Sequence, residues 1–115
     1  MAEPTPEELK ATFLSRLQNE LQGLRDASVR TVADRKPVEL DQQSVGRLSR
    51  MDAMQQQALA AAQETRRHGR IRALEAALGR IEAGEFGYCD DCGDFIGLRR
   101  LALEPTIMRC RDCAS

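Results

Sequence analysis

Cys89-Asp90-Asp91-Cys92 and Cys110-Arg111-Asp112-Cys113 are two C-x-x-C pairs with 17 residues between them. That spacing is expected of a tetrathiolate zinc site, in which each pair forms a tight turn offering two sulfurs to one ion. Gly93, directly after Cys92, permits the left-handed turn that aims backbone amides at thiolates. Cys89, Cys92, Cys110 and Cys113 are therefore the candidate ligands of one structural Zn²⁺, because a closed sphere of four sulfurs leaves no position for water or substrate. Spacing alone leaves three rivals open: two disulfides, a redox dithiol, and iron in place of zinc. An ion bound with roughly 10 kcal/mol or more would order a segment that has only Phe86, Tyr88, Phe95, Ile96, Leu98, Leu101, Leu103, Ile107 and Met108 to bury.

Upstream of this segment the composition changes. Glycine and proline are sparse between Glu7 and Ala83, whereas four of the eight glycines and all four cysteines lie from Gly84 onward. Thr5-Pro6-Glu7-Glu8 has the order of a capping box with Pro at the first helical position, which starts helix one at Pro6. Leu14, Leu17, Leu21 and Leu24 recur at steps of three and four, a narrow stripe that suits a coiled-coil seam and needs a partner helix. Pro37, after Asp34-Arg35-Lys36, removes a backbone donor and biases its predecessor out of the helical region, so helix one ends near Asp34.

Asp41 is placed as the N-cap of a second helix, with Leu40 and Val45 in the positions of a hydrophobic staple. From Gln42 to Ala83 there is no proline and Ala, Gln, Leu, Arg and Glu abound; Gly84 supplies the residue that follows a helix end. The apolar residues of helix two fall in two phases, Val45, Leu48, Gln55, Leu59 and Ala62, then Ile71, Leu74, Leu78 and Ile81, which reads as a change of neighbour partway along. The expected fold is mainly α. A long antiparallel helical hairpin of coiled-coil type occupies 1–84, with helix one at about 6–34, a tip at about 35–41 and helix two at about 42–83. A small Cys₄ zinc finger, 85–115, sits at its base.

Composition narrows the function. With 115 residues the chain suits one domain; 42% hydrophobic and 30% charged residues argue against a disordered tail, and no apolar run reaches the roughly 20 residues of a spanning helix. Met1 to Pro6 has neither a basic stretch nor an apolar core, so the expected location is the cytoplasm and no membrane is involved. Lys plus Arg number 17 against 18 Asp plus Glu, and there are three Phe, one Tyr and no Trp. Both facts speak against direct contact with nucleic acid, which favours basic surfaces and aromatic stacking platforms. No nucleophile, base and orienting group are grouped in sequence, so no enzyme is expected.

Ile81-Glu82-Ala83-Gly84-Glu85-Phe86-Gly87-Tyr88-Cys89, then Cys92-Gly93, Ile96, Arg99-Arg100-Leu101, Pro105-Thr106, Cys110 and Cys113, closely resembles the zinc-finger signature of the DksA/TraR family. The preceding 80 residues resemble it in architecture only. The resemblance implies a transcription regulator that binds RNA polymerase rather than DNA, inserting its coiled-coil tip into the secondary channel towards the catalytic Mg²⁺. In the best-known members the tip carries two acidic residues three apart and an alanine two further on; here that pattern falls on Val38, Asp41 and Gln43. Asp41 matches, and Glu39, one residue along from Val38, is the candidate substitute for the other acid, so these two are the candidate tip residues, beside the reading of Asp41 as an N-cap alone.

The family's guanosine tetraphosphate site is built from basic residues, and the corresponding positions here are Ala73, Glu104 and Ala114. The chain, ending two residues after Cys113, resembles shorter relatives that act without the alarmone. Arg66-Arg67-His68-Gly69-Arg70-Ile71-Arg72, with Arg99 and Arg100, reads either as a solvated face or as a basic rim for an acidic partner; His68 reads as a surface residue. The expected protein is a monomer with RNA polymerase as partner. The alternatives are a zinc-stapled helical adaptor for another protein and a zinc-ribbon module that binds nucleic acid directly.

Overall fold

A computed structural model describes residues 3–36 and 47–114, with the side chains of 47 and 48 left out. Among them lie four α-helices, α1 (Pro6–Arg30), α2 (Arg47–Ala83), α3 (Leu98–Leu103) and α4 (Arg111–Ala114), and a 3₁₀ turn, Val32–Arg35. No strand is present among the described residues beyond an isolated antiparallel bridge between Tyr88 and Phe95. The chain divides into two compact units: residues 1–22 with 72–115, and residues 23–71. The tip residues Glu39 and Asp41, with Val38, Gln43 and the staple pair Leu40 and Val45, lie outside the described residues.

The first unit holds the apolar core. Thr5 Oγ1 accepts the Glu8 N–H at 3.2 Å, capping the start of α1, and the buried residues Leu9, Phe13, Leu17 and Leu21 then follow at steps of four. Leu14 and Leu24, expected in the seam, are only half-buried. Side chains four apart stack on one helix face, so an i, i+4 row keeps Leu17 and Leu21 of the expected stripe and adds Leu9 and Phe13 in place of Leu14 and Leu24. From α2 come Leu74, Ala77 and Ile81, and from the C-terminal segment Phe86, Ile96 and Leu101, all buried. The Phe13 and Phe86 rings meet with centroids 5.4 Å apart and planes at 50°, a tilted pair that contributes about 0.5–1.5 kcal/mol beyond its buried area. Of the finger's expected apolar set, Leu98, Leu103 and Met108 are instead exposed.

In the second unit α1 stops at Arg30, short of the expected Asp34. Thr31 directs its hydroxyl to the Ala27 carbonyl at 2.8 Å, and the chain tightens into i, i+3 bonds, Asp34 N–H to Thr31 O at 3.0 Å and Lys36 N–H to Ala33 O at 3.3 Å. Lys36 is extended, with φ −67° and ψ 147°, the conformation forced on a residue that precedes proline.

The inward face of α2 is one unbroken heptad series rather than two phases. Arg50, Ala53, Gln57, Ala60, Glu64, Arg67, Ile71, Leu74, Leu78 and Ile81 alternate at steps of three and four, and every one is buried or half-buried. Gln55 and Ala62, expected on the seam, are exposed, and Leu59 is 57% exposed. The expectation failed because the seam of the second unit is built from small and polar residues, which an apolar count skips. Glu64 is the one buried residue described in that unit. Its carboxylate accepts bonds from Ser28 Oγ at 2.7 Å and Arg67 Nη1 at 2.9 Å, and pairs with Arg35 Nη1 at 2.6 Å. Ser28 first, then the two arginines, hold the Glu64 carboxyl below the usual carboxylate range against the opposing effect of burial.

Candidate metal centre

The helical register of α2 ends in a hydrogen-bonded cap that delivers the chain to the first cysteine pair. Glu85 N–H bonds Arg80 O at 2.9 Å and Gly84 N–H bonds Ile81 O at 3.1 Å, with Gly84 at φ 74°; this is the Schellman arrangement. Gly87 follows at φ 93°, and a Cβ there would stand 3.1 Å from Leu9 Cδ1 and 3.4 Å from Leu101 Cδ1. No side chain fits between those leucines in that backbone conformation.

Residues 87–96 fold back on themselves around the first cysteine pair. Ile96 N–H bonds Gly87 O at 2.8 Å, Cys89 N–H bonds Asp94 O at 2.8 Å, and Gly93 N–H bonds Cys89 O at 2.9 Å. Gly93 has φ 80°, the left-handed turn expected after Cys92. Asp91 N–H points at Cys89 Sγ from 3.4 Å. The second pair arrives through Asp90 N–H bonded to Met108 O at 2.8 Å, and one helical turn, closed by Ala114 N–H to Cys110 O at 2.9 Å, sets Cys110 and Cys113 side by side. Arg109 Nε and Asp91 Oδ2, 3.4 Å apart, link the two turns at the surface.

The result is a single cluster. The sulfurs of Cys89, Cys92, Cys110 and Cys113 lie within 4.8 Å of one another, with Cys92 Sγ and Cys110 Sγ at 3.6 Å. All four are free thiols. Backbone hydrogen bonds from Cys110 and then Cys92 bring the Cys89 thiol down to about 6, against burial. Neighbouring sulfurs, Cys110 foremost, push Cys113 strongly up. Cys92 also rises: a backbone bond from Asp94 favours its thiolate, but Cys110, burial and Cys89 outweigh it. With protons alone Cys89 ionises readily, whereas Cys92 and Cys113 hold theirs. A divalent cation reverses that preference, since it stabilises all four thiolates at once. The donor set and spacing thus fit a soft, tetrahedral ion such as Zn²⁺.

Residues 84–115 match the prokaryotic dksA/traR C4-type zinc finger. The similarity to that zinc finger is confined to this C-terminal segment. The RNA polymerase-binding transcription factor DksA of Haemophilus influenzae is 46% identical over 43 residues, which span 37% of this chain and 30% of that protein. Its namesake in Escherichia coli K12 is 46% identical over 43 residues, 28% of its length. The matched stretch is therefore under a third of either relative. The structure of transcription factor DksA2 from Pseudomonas aeruginosa superposes over 95% of this chain and 74% of that one, with a TM-score of 0.55 at 23% identity, a likeness of fold.

Two groups escaped the sequence reading. Arg67 belongs to the half-buried contact with Glu64 rather than to a solvated face, whereas His68 is 57% exposed with Nε2 at 3.7 Å from Glu64. Extending the heptad of Ile71, Leu74, Leu78 and Ile81 backwards would have placed Glu64 and Arg67 on the seam. Arg80 is the second group; it sits in the last turn of α2 with its side chain 12% exposed. No described helix is long and apolar enough to cross a membrane.

Proposed function

We propose that this protein is a zinc-stapled regulator of transcription that acts by binding RNA polymerase. The observation that carries the reading is the four-sulfur cluster within 4.8 Å, inside a segment matching the dksA/traR finger and joined to two long helices. Cys89, Cys92, Cys110 and Cys113 hold one Zn²⁺, which orders residues 85–115 and performs no chemistry because its coordination is closed. Residues 1–84 form the helical probe. Its tip enters the polymerase secondary channel, where Glu39 and Asp41 place negative charge near the catalytic metal and alter initiation. The protein is no enzyme, makes no direct contact with nucleic acid, and works as a cytoplasmic monomer. Ala73, Glu104 and Ala114 offer no cation to a tetraphosphate, so regulation proceeds without guanosine tetraphosphate.

Transcription in vitro with purified polymerase, with and without guanosine tetraphosphate, tests this. The expected result is an altered initiation rate that the alarmone leaves unchanged, and that Glu39→Gln with Asp41→Asn abolishes while zinc content and helicity persist. Unaltered initiation with wild-type protein would contradict the polymerase reading; a fully active double variant would discard the tip assignment. Capture of other proteins without polymerase subunits would favour an adaptor, and a salt-dependent mobility shift a nucleic-acid module.

A further inference from the structure

Arg80 is joined at several points to the segment that carries the first cysteine pair. Its main-chain carbonyl accepts both the Glu85 N–H, at 2.9 Å, and the Phe86 N–H, at 3.2 Å, so it closes α2. Its guanidinium turns the other way: Nη2 donates to the Tyr88 carbonyl and stands 3.7 Å from Asp90 Oδ1. Tyr88 and Asp90 are the residues on either side of Cys89. One rigid, planar group therefore grips the chain immediately before and immediately after the first sulfur. Arg80 and Cys89 also line the same recess of about 430 Å³, with Tyr88 and Asp90.

The charge arithmetic points the same way. Arg80 Nε and Nη1 are buried and have no hydrogen-bond partner, an arrangement that is unfavourable for a cation unless negative charge lies close by. Four thiolates around a dication carry two net negative charges. Asp90, 53% exposed and 3.7 Å away, supplies part of that charge, and a loaded cluster on the recess that Arg80 shares with Cys89 would supply more.

We propose that Arg80 is a positioning residue of the metal site, fixing Cys89 from the end of α2 and making metal retention depend on a residue nine positions upstream of the first ligand. The proposal rests on the zinc reading above. Groups that orient metal ligands from outside the coordination sphere typically change affinity by about 10- to 100-fold when removed. Lysine can meet the Tyr88 carbonyl and Asp90 but lacks the planar fork, so it rescues in part.

The test is transfer of zinc from the full-length, zinc-loaded protein to a chromogenic chelator. Arg80→Met is expected to lose zinc about 10- to 100-fold faster than wild type, with Arg80→Lys in between. Asp90→Asn should show a smaller acceleration. Arg16→Met, which removes a 2.7 Å bond to Ala102 O away from the cluster, should release zinc at the wild-type rate. If Arg80→Met does not fold, Arg80→Lys and Asp90→Asn carry the test. Wild-type release rates in Arg80→Lys and Asp90→Asn, or equal acceleration by Arg16→Met, would overturn the proposal while the zinc reading stands. A wild-type chain that takes up no zinc would overturn both.

Discussion

The two units of this chain use the same pair of helices and hold them by opposite means. In the first unit α1 and α2 meet through Leu9, Phe13, Leu17, Leu21, Leu74, Ala77 and Ile81, and a four-sulfur cluster ties the following 30 or so residues into the same core. In the second the heptad continues, but its inward positions are Arg50, Ala53, Gln57, Ala60, Glu64 and Arg67. There the buried group is a carboxylate, held by Ser28, Arg35 and Arg67. Heptad periodicity alone therefore does not make a hydrophobic seam. Between α1 and α2 the first unit relies on apolar burial, which is indifferent to pH; the second relies on a polar contact that is directional and titratable.

Removing the metal should separate the units most sharply. Chelation is expected to abolish hydrogen-exchange protection across residues 85–114, where few apolar side chains are buried, because ion binding and folding are one event in such segments. Persisting protection there in metal-free protein would show that packing alone suffices.

A cavity in the first core should come next. Leu74, 0% exposed, is expected to cost about 2–5 kcal/mol on replacement by alanine, read from denaturant unfolding. A loss below 1 kcal/mol, allowing about ±0.5 for a surface site, would mean that the described core is not the one that holds the chain.

The polar contact of the second unit gives a signature in pH. The Glu64 carboxyl is lowered in the folded state, so the unfolded chain binds more protons over that interval and stability falls with falling pH. The contribution is complete above the ordinary carboxylate range and is lost as pH drops through the lowered value. Glu64→Gln should flatten the acid limb of an unfolding profile read at α2 amides of the second unit, and leave Arg35 and Arg67 without their carboxylate. An acid limb identical to wild type would remove Glu64 from the account. Smallest of all should be Leu59→Ala, within about ±0.5 kcal/mol, although an apolar scan places Leu59 on the seam. A large loss there would restore the two-phase reading of α2.

What the sequence made legible follows this division. The cap at Thr5, the left-handed turn at Gly93 and the four-cysteine constellation each depend on local chemistry with a fixed offset, and each is in the structure as spacing indicates. The seam of α2 does not show in an apolar count because its residues in the second unit are Ala, Gln, Glu and Arg, whose inward orientation shows only when the heptad is traced back from Ile71. Arg80 was invisible for another reason: its partners are the Tyr88 carbonyl and Asp90, and main-chain acceptors leave no mark in side-chain pattern. Hydrophobicity alone points Leu98, Leu103 and Met108 to the core, yet all three are exposed, because the segment is too small to enclose them.

The account depends above all on one ion joining the two cysteine pairs. Native mass spectrometry of the purified chain tests this directly: the expected mass is that of the polypeptide plus a single zinc, reduced to the bare chain by Cys110→Ser with Cys113→Ser. A native mass equal to the unmodified polypeptide, with residues 85–114 still protected from exchange, would contradict it.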